Sequence, residues 1–396
     1  IPKEMSDFIA AQLGVKPDDL LHYAERENTR HEHLEVLRKI YRYEMFKGKR
    51  VKQMRAWLDQ NAEGAQSSEG LVRAFVQECR GRHIILPGTT VMERMCADAL
   101  VAAERRIETR ITARLDRAMR ARLDGLLNEE EEGQTTTFVW LRQFEPGLPA
   151  ADINRLLDRL EFLKAIALAP EIMDDIPAHR VTRLRRQGER YFAKGLRDIT
   201  SDRRLAILAV CVVEWSAAIA DTVVETHDRI VGSVWRDAKR ICDARVTEAQ
   251  ADVAKTLAGF ETLGSNLLMA KGDDAALANA VDSSCGWSGL ESLVAQATQL
   301  QATVKADTLA HVSKGFHRFK RYARRMLNAL DMTCASVAQP LITAAQIIRD
   351  KQDIPATSLT FLQPRSKWRP QFRAPDIDQE RLWVVAVLCH LRDAFR

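Results

Sequence analysis

The stretch Thr90–Leu127, TVMERMCADALVAAERRIETRITARLDRAMRARLDGLL, decides the fold class. Leu100, Ala103, Ile107, Ile111, Leu115 and Ala118 recur at steps of three and four, which puts them on one stripe of an α-helix. Arg106, Arg110, Arg117 and Arg120 fall on a different face. Thr90-Val-Met-Glu93 has the spacing of a capping box. The pattern therefore predicts one long helix, opening at Thr90 and running to about Leu127. Pro87-Gly88 breaks the chain before it, and the acidic, Gly- and Thr-containing run Asn128–Thr137 breaks it after.

The same periodicity continues outward in both directions. Ile9–Leu13 ends a helix at Gly14, where a left-handed conformation is easy, and Pro17 opens the next. The small residue Ala10 followed by Gly14 and Val15 is a turn pattern shared by helix-turn-helix units and ordinary helical hairpins. Thr29-Arg-His-Glu32 is a second capping-box spacing and predicts a helix with Leu34, Leu37 and Tyr41 inward. Asn61–Gly70 is a loop. Helices follow from Phe138 to about Trp235, with Pro-containing turns at 146–149 and 170–177. A long, mostly polar helix covers Asp237–Met269. Lys271–Gly289 is loop-rich, Leu290–Ile348 is helical, Gln363–Asp378 is an irregular link, and one more helix starts at Ile377. Alternating strand patterns hardly occur, and no fixed period marks a repeat array. The expectation is an all-α protein of several helical subdomains in an elongated multi-domain arrangement, with helix-turn-helix-like units at the N-terminus. Its expected divisions are 1–62, 67–133, 136–270, 271–362 and 363–396, the first cut at its start.

Composition agrees. The 396 residues are 46% hydrophobic with few aromatics, and Ala, Leu, Arg and Glu dominate, which favours helix. Net charge is a mild +5, so the basic residues matter only where they cluster. Cysteines stand at 79, 96, 211, 242, 285, 334 and 389. The odd number and the absence of any C-x-x-C pair argue against a disulfide framework or a zinc ribbon, and free thiols fit the cytosol. The longest apolar run, Leu205–Ala220, is interrupted by Glu214 and reads as too short for a membrane span. No signal peptide is evident. The start at Ile1 and the end at Arg396 within a helical pattern read as cut ends.

Several phrases, in order, carry a resemblance. They are Gln12-Leu-Gly14 followed by Tyr23 and Thr29-Arg30-His31-Glu32-His33; Ile85-Leu-Pro-Gly-Thr-Thr-Val-Met-Glu-Arg94; Trp140-Leu-Arg142 with Leu160-Glu-Phe-Leu163; Glu225-Thr-His-Asp-Arg-Ile230; and Trp368-Arg-Pro370 with Arg381-Leu-Trp383 and Leu391–Arg396. Together the chain resembles the front part of Tn-three-class bacterial replicative transposases. The resemblance implies a role in recognising double-stranded DNA at the transposon's terminal inverted repeats, with a homodimer in the full-length protein. It also implies a cytoplasmic, nucleoid- or plasmid-associated location and no membrane contact. Members of that class continue into a ribonuclease-H-like domain whose Asp-Asp-Glu site uses Mg. No catalytic residue can be carried onto this chain, no cofactor is expected in it, and the chain alone should be inactive.

Three cationic clusters give this reading its candidate residues. His311–Leu330 sets Val312, Phe316, Phe319, Ala323, Met326 and Leu330 on one apolar stripe, with Lys314, Arg318, Lys320, Arg321, Arg324 and Arg325 around it and no acid. Such stacked cations favour an anionic partner or, alternatively, the acids of neighbouring helices. His179–Arg204 holds nine basic side chains, Arg180, Arg183, Arg185 and Arg186 among them, against three acids, a local charge of +6. Here the alternative is pairing with Glu129–Glu132 or with Asp174 and Asp175. The N-terminal set is Arg30, His31, Arg38, Arg42, Lys47, Lys49, Arg50, Lys52 and Arg55, of which Arg30 is the favoured base reader, since arginine meets guanine bidentately. Arg106, Arg110 and Arg117 complete the candidates.

Other motifs carry less. Lys367-Trp368-Arg369 reads as a joint rather than a stacking platform, and His227-Asp228 reads as helix packing. His31 and His33 do not share a helix face and make no zinc site. Asp174-Asp175 reads as a turn, and no Gly-rich phosphate loop is present. The rival reading is a helical dimerisation or interaction module, motivated by the polar helix Asp237–Met269.

Overall fold

A computed structural model describes residues 2–20, 28–128, 136–144, 152–304, 308–333, 336–355, 358–374 and 377–395. Tyr23, the Glu129–Glu132 run, Pro146–Pro149, Cys334 and Arg396 lie outside them. Every regular element among the described residues is helical, and the one isolated bridge joins Glu44 and Ile84. The chain divides into two units, one made of Ile1–Asn128 and Ala169–Cys211, the other of Glu129–Leu168 and Val212–Arg396.

The first unit contains α1 (Lys3–Leu13), α2 (Thr29–Ile40), α3 (Lys49–Asn61), α4 (Ser68–Gly81), α5 (Thr89–Ala113) and α6 (Arg117–Gly125). Helices α7 (Thr137–Arg142) and α8 (Ile153–Ile166) belong to the second unit. The chain then returns to the first with α9 (Ala178–Arg190) and α10 (Ala193–Asp198), and α11 (Ser201–Met269) crosses the boundary between 211 and 212. The second unit is completed by α12 (Asp274–Ser284), α13 (Gly286–Val304), α14 (Thr308–Val312), α15 (Phe316–Phe319), α16 (Ala323–Ala329), α17 (Gln339–Arg349) and α18 (Gln379–Phe395).

In the first unit, Met54 and Leu58 of α3, Leu71, Phe75 and Cys79 of α4, and Cys96 and Ala103 of α5 form the core. Phe46 and Trp57 pack edge-on against Phe75. The expected inner stripe holds at Ala103, Ile107, Ile111 and Leu115, all buried. The helix stops before Leu127, however. Arg114 turns its guanidinium to the carbonyls of Ile172 and Asp174 at 2.9 and 2.7 Å, and Asp116 caps a new helix by accepting from the Met119 amide at 2.7 Å. Ala118 thereby leaves the stripe and is exposed.

Neither expected capping box forms: the N-cap positions are Asn28 and Gly88, without side-chain bonds. Thr29 and Thr90 already lie inside the first turn, whereas a capping hydroxyl must sit on a non-helical residue. Ser67 does cap α4, accepting from the Gly70 amide. Leu34, Leu37 and Tyr41, expected inward on α2, are exposed. Periodicity gives a helix its apolar face, but another element has to cover it.

Helix α9 approaches α11 closely at Gly188. A Cβ there would lie 2.2 Å from Cys211 Sγ and 3.1 Å from Ile207 Cγ2. Burial pushes the Cys79 and Cys96 thiols up to about 11, so they are poor nucleophiles.

In the second unit, α18 is buried almost throughout from Leu382 to Leu391. His227 of α11 ties it down. The ring sits 3.0 Å from the Leu388 carbonyl through Nε2 and 2.8 Å from the Tyr322 hydroxyl through Nδ1. A carbonyl only accepts, so Nε2 carries the proton and Nδ1 accepts from Tyr322. The helix-packing role expected of His227 is what the structure shows. Trp368 is buried and packs edge-on to Trp235, while Arg369 donates to the carbonyls of Leu359, Leu362 and Gln363. This corner is a packed joint within the unit.

Three expectations need correction here. The polar helix begins at Ser201, not Asp237, because the apolar run Leu205–Ala220 lies within its first third. On length and composition α11 is long and apolar enough to cross a membrane, and 61% of its apolar window is buried inside the protein, as in a core helix. Lys271–Gly289 is largely helix α12, an alanine-rich segment tied to α11 by Asn266 Nδ2 donating to Ser284 Oγ at 2.7 Å. Finally, 311–330 is not one helix. Gly315 packs against Val234, where a Cβ would come within 2.5 Å of a methyl carbon, and the backbone breaks into α14, a 3-10 turn, α15 and α16.

Two measurements test this packing. Gly188→Ala should destabilise the first unit by about 1–3 kcal/mol through overpacking, read as a lower denaturation midpoint that Cys211→Ala partly restores; an unchanged midpoint contradicts the contact. Burial holds the His227 pKa down to about 4 from an ordinary 6.5. The unfolded chain therefore takes up this proton near pH 6.5 and the folded one does not, so stability complete above that pH is lost as pH falls towards 4. Going from pH 7.5 to 5 should cost about 2 kcal/mol through this group. His227→Gln should lower stability at neutral pH and flatten that dependence in urea melts.

Candidate nucleic-acid interface

Within the first unit, carboxylates sort the arginines. Glu104 and Glu108 are one helical turn apart on α5, beside the apolar stripe. Glu104 faces Arg183 at 2.8 Å, Arg180 at 3.7 Å and Arg203 at 3.9 Å. Glu108 is 6% exposed and faces Arg203 at 3.4 Å, and burial raises its pKa. Arg180 is itself buried. Nη2 donates to the carbonyls of Ala62 at 2.6 Å and Ala65 at 3.3 Å, and Nε to that of Glu63 at 3.2 Å. Burial lowers the Arg180 pKa, yet at the height of a guanidinium pKa the charge is kept.

Glu63 plays the same part at the end of α3. It binds Arg106 at 3.0 Å and Arg110 at 3.1 Å. Burial opposes ionisation there, but those two hydrogen bonds hold its carboxyl below the ordinary range. Arg38 pairs with Glu35 at 2.8 Å, and Arg50 pairs with Glu44 and donates to Gln53 at 2.8 Å. Arg185 lies 3.6 Å from Glu189.

Other candidates face solvent. His31, Arg42, Lys47, Lys49, Lys52, Arg55, Arg117 and Arg186 are exposed and make no ion pair among the described residues. Arg190 and Lys194, from the same cluster as Arg186, share that condition. Lys47, Lys49, Lys52 and Arg55 follow one another around the start of α3. Arg30 is helical, and its side chain lies outside the described residues.

In the second unit, Arg318 is held by Asp237 at 2.6 Å and Ser233 at 2.9 Å. Arg325 is held by Asp158 at 2.6 Å and Glu161 at 2.8 Å, and Arg324 donates to the Arg349 carbonyl. Lys314, Lys320 and Arg321 are exposed without ion pairs among the described residues. The expected apolar stripe of this segment is buried at Val312, Phe319, Ala323 and Met326.

Sequence reasoning named Asp174 and Asp175 as possible partners of the 179–204 arginines. The structure gives that turn to Arg110 and Arg114 instead. It missed Glu104 and Glu63, the residues that decide which cations are spent inside. The available signal for Glu104 was an acid at helical spacing beside the apolar stripe. It also missed Phe192, 75% exposed between Arg190 and Lys194. No group of three or more His, Cys, Asp or Glu that could hold a metal occurs among the described residues.

Residues 1–99 match the family described as domain of unknown function DUF4158. Over 408 residues the chain is 28% identical to the transposase for transposon Tn501 of Pseudomonas aeruginosa, covering 100% of the chain and 40% of that protein. It is 28% identical over 393 residues to the transposase for transposon Tn2501 of Escherichia coli, covering 98% of the chain and 39% of the relative. With the transposase for transposon Tn1546 of Enterococcus faecium the identity is 25% over 407 residues, 100% of the chain and 41% of the relative. The chain thus spans about two-fifths of the length of these relatives. With regular elements that are all helical among its described residues, a DUF4158 match over residues 1–99 and alignments along 98–100% of its length, the chain is homologous to the Tn-family bacterial transposases.

Proposed function

We propose that this chain binds double-stranded DNA sequence-specifically at transposon terminal inverted repeats, as part of a transposase acting in DNA transposition. The observation that carries the proposal is the set of solvent-facing cations that make no ion pair among the described residues: Lys47, Lys49, Lys52 and Arg55 around α3, and Arg186 and Arg190 at the end of α9 with Lys194 of α10. Duplex DNA presents a charge about every 1.7 Å, and cations without internal partners are the ones whose binding to phosphate breaks no existing pair. His31, Arg42, Arg117, Lys314, Lys320 and Arg321 belong to the same proposed set. Arg38, Arg50, Arg106, Arg110, Arg180, Arg183, Arg185, Arg318 and Arg325 would first have to leave a carboxylate or carbonyl, and Arg324 a carbonyl. Arg30 stays the proposed base reader. Phosphate contacts position such a module, and base contacts specify the site. A homodimer of the full-length protein, no membrane contact, and a cytoplasmic location on nucleoid or plasmid belong to the same reading. Strand-transfer chemistry is no part of what is proposed for this chain.

A second reading, a helical interaction module, is favoured by exposed Leu257, Leu268, Met269 and Trp287 on α11 and α13. Light scattering separates the two: a stable dimer indifferent to DNA supports the module.

Fluorescence anisotropy against an inverted-repeat duplex and a scrambled one, across a salt series, tests the DNA reading. Tighter binding to the repeat is expected. The variant K47E/K49E/K52E should reduce the slope of log K against log salt by about 2–3, one contact contributing about 0.9. Arg106→Gln should lower thermal stability and leave that slope alone. Equal affinity for both duplexes removes the specificity, and no binding at low salt removes the function.

A further inference from the structure

Phe192 lies outside the core of its unit. Helices α9 and α10 meet at a two-residue corner, Tyr191-Phe192, both extended, with φ/ψ of −70/141 and −81/157. The neighbours turn inward: Ala193 and Leu196 are buried, and the Tyr191 ring packs over Gly195, where a Cβ would be 3.2 Å from it. Phe192 alone points out, 75% exposed, and it is the one exposed large apolar side chain among the described residues of 169–211.

The seat is firm. The Tyr191 amide donates to the Gln187 carbonyl at 2.9 Å and the Leu196 amide to the Phe192 carbonyl at 3.1 Å. Behind it, α9 is pinned by buried Arg180 and by the Gly188 contact with Cys211. Arg186, Arg190 and Lys194 flank the ring in sequence, exposed and without ion pairs among the described residues, whereas Glu189 lies 3.6 Å from Arg185. An apolar side chain on a rigid corner between exposed cations has the chemistry of a wedge that enters a base step while its flanks hold the phosphates.

We propose that Phe192 inserts between base pairs of duplex DNA at a pyrimidine–purine step and kinks it, with Arg186, Arg190 and Lys194 holding the adjoining phosphates. This rests on the DNA-binding reading above. Pyrimidine–purine steps unstack most easily, so the wedge would add a preference for deformable sequence to whatever the base contacts read. A lipid surface is the competing chemistry, but interfacial binding takes an extended amphipathic helix face with several apolar residues, and this corner has one.

The test uses the chain 1–396 and a mixed-sequence duplex carrying 2-aminopurine at its pyrimidine–purine steps and a dye pair at its ends. With the wild type, 2-aminopurine fluorescence should rise and the ends should draw together. Phe192→Ala should bind about tenfold more weakly, with the salt slope unchanged and both optical signals lost. Phe192→Leu, still an apolar wedge, should keep the kink. Because the ring is exposed, the variants should melt with the wild type. Binding by the wild type with neither signal, or an alanine variant that kinks DNA equally well, overturns the wedge and leaves the DNA-binding reading standing. No duplex binding by the wild type, with or without capture by anionic phosphatidylserine vesicles, overturns both.

Discussion

A guanidinium buried beneath α9 holds the first unit together. Arg180 brings a positive charge out of water at a cost of several kcal/mol, and the surroundings offset it with three carbonyls and the Glu104 carboxylate. The carbonyls belong to Ala62, Glu63 and Ala65, just past the end of α3, where a helix leaves acceptors without intrahelical partners. One side chain thus satisfies the end of α3, links it to α9 and faces α5. Replacing it with a neutral residue would leave the carbonyls without their donor, while Glu104 keeps Arg183 and Arg203, and buried carbonyls left unpaired make such a break costlier than a missing surface pair.

That arrangement divides the basic residues by geometry. Arginines within reach of Glu63, Glu104 and Glu108 are spent on internal order. Lys47, Lys49, Lys52 and Arg55 around the start of α3, and Arg186 and Arg190 at the end of α9 with Lys194 of α10, make no ion pair among the described residues. A polyanion that approached would meet these first, because no internal pair has to be broken. Cationic character legible as one cluster in the sequence is therefore two populations in space, one structural and one available.

The second unit is held by different means. Its helix α18 is buried almost throughout from Leu382 to Leu391, and a neutral histidine bridges it to Tyr322. Arg325 clamps α16 to α8 through Asp158 and Asn154, and Arg318 clamps α15 to α11 through Asp237. Here too the expected cationic face pairs in part with acids of neighbouring helices, the alternative open from the sequence, while Lys314, Lys320 and Arg321 stay outside it.

Local chemistry let the sequence by itself determine a good deal. Spacing of three and four located most of the helices though not all their bounds, Gly14 ended α1 in a left-handed turn, and the order of short phrases along the chain carried the kinship with transposases. It also placed the basic clusters and set the Trp368 and His227 segments aside as packing. What only the tertiary structure decided is partnership. Periodicity gave Leu34 and Leu37 an inward face, yet both are exposed, and it could not show that 311–330 breaks where Gly315 meets Val234. Nor could it show that Glu104, 76 residues before Arg180 in the chain, would claim that arginine while Arg186 and Phe192 stayed in solvent. A helix records its own faces in its residues, but which face meets which is set by packing between elements far apart in the chain.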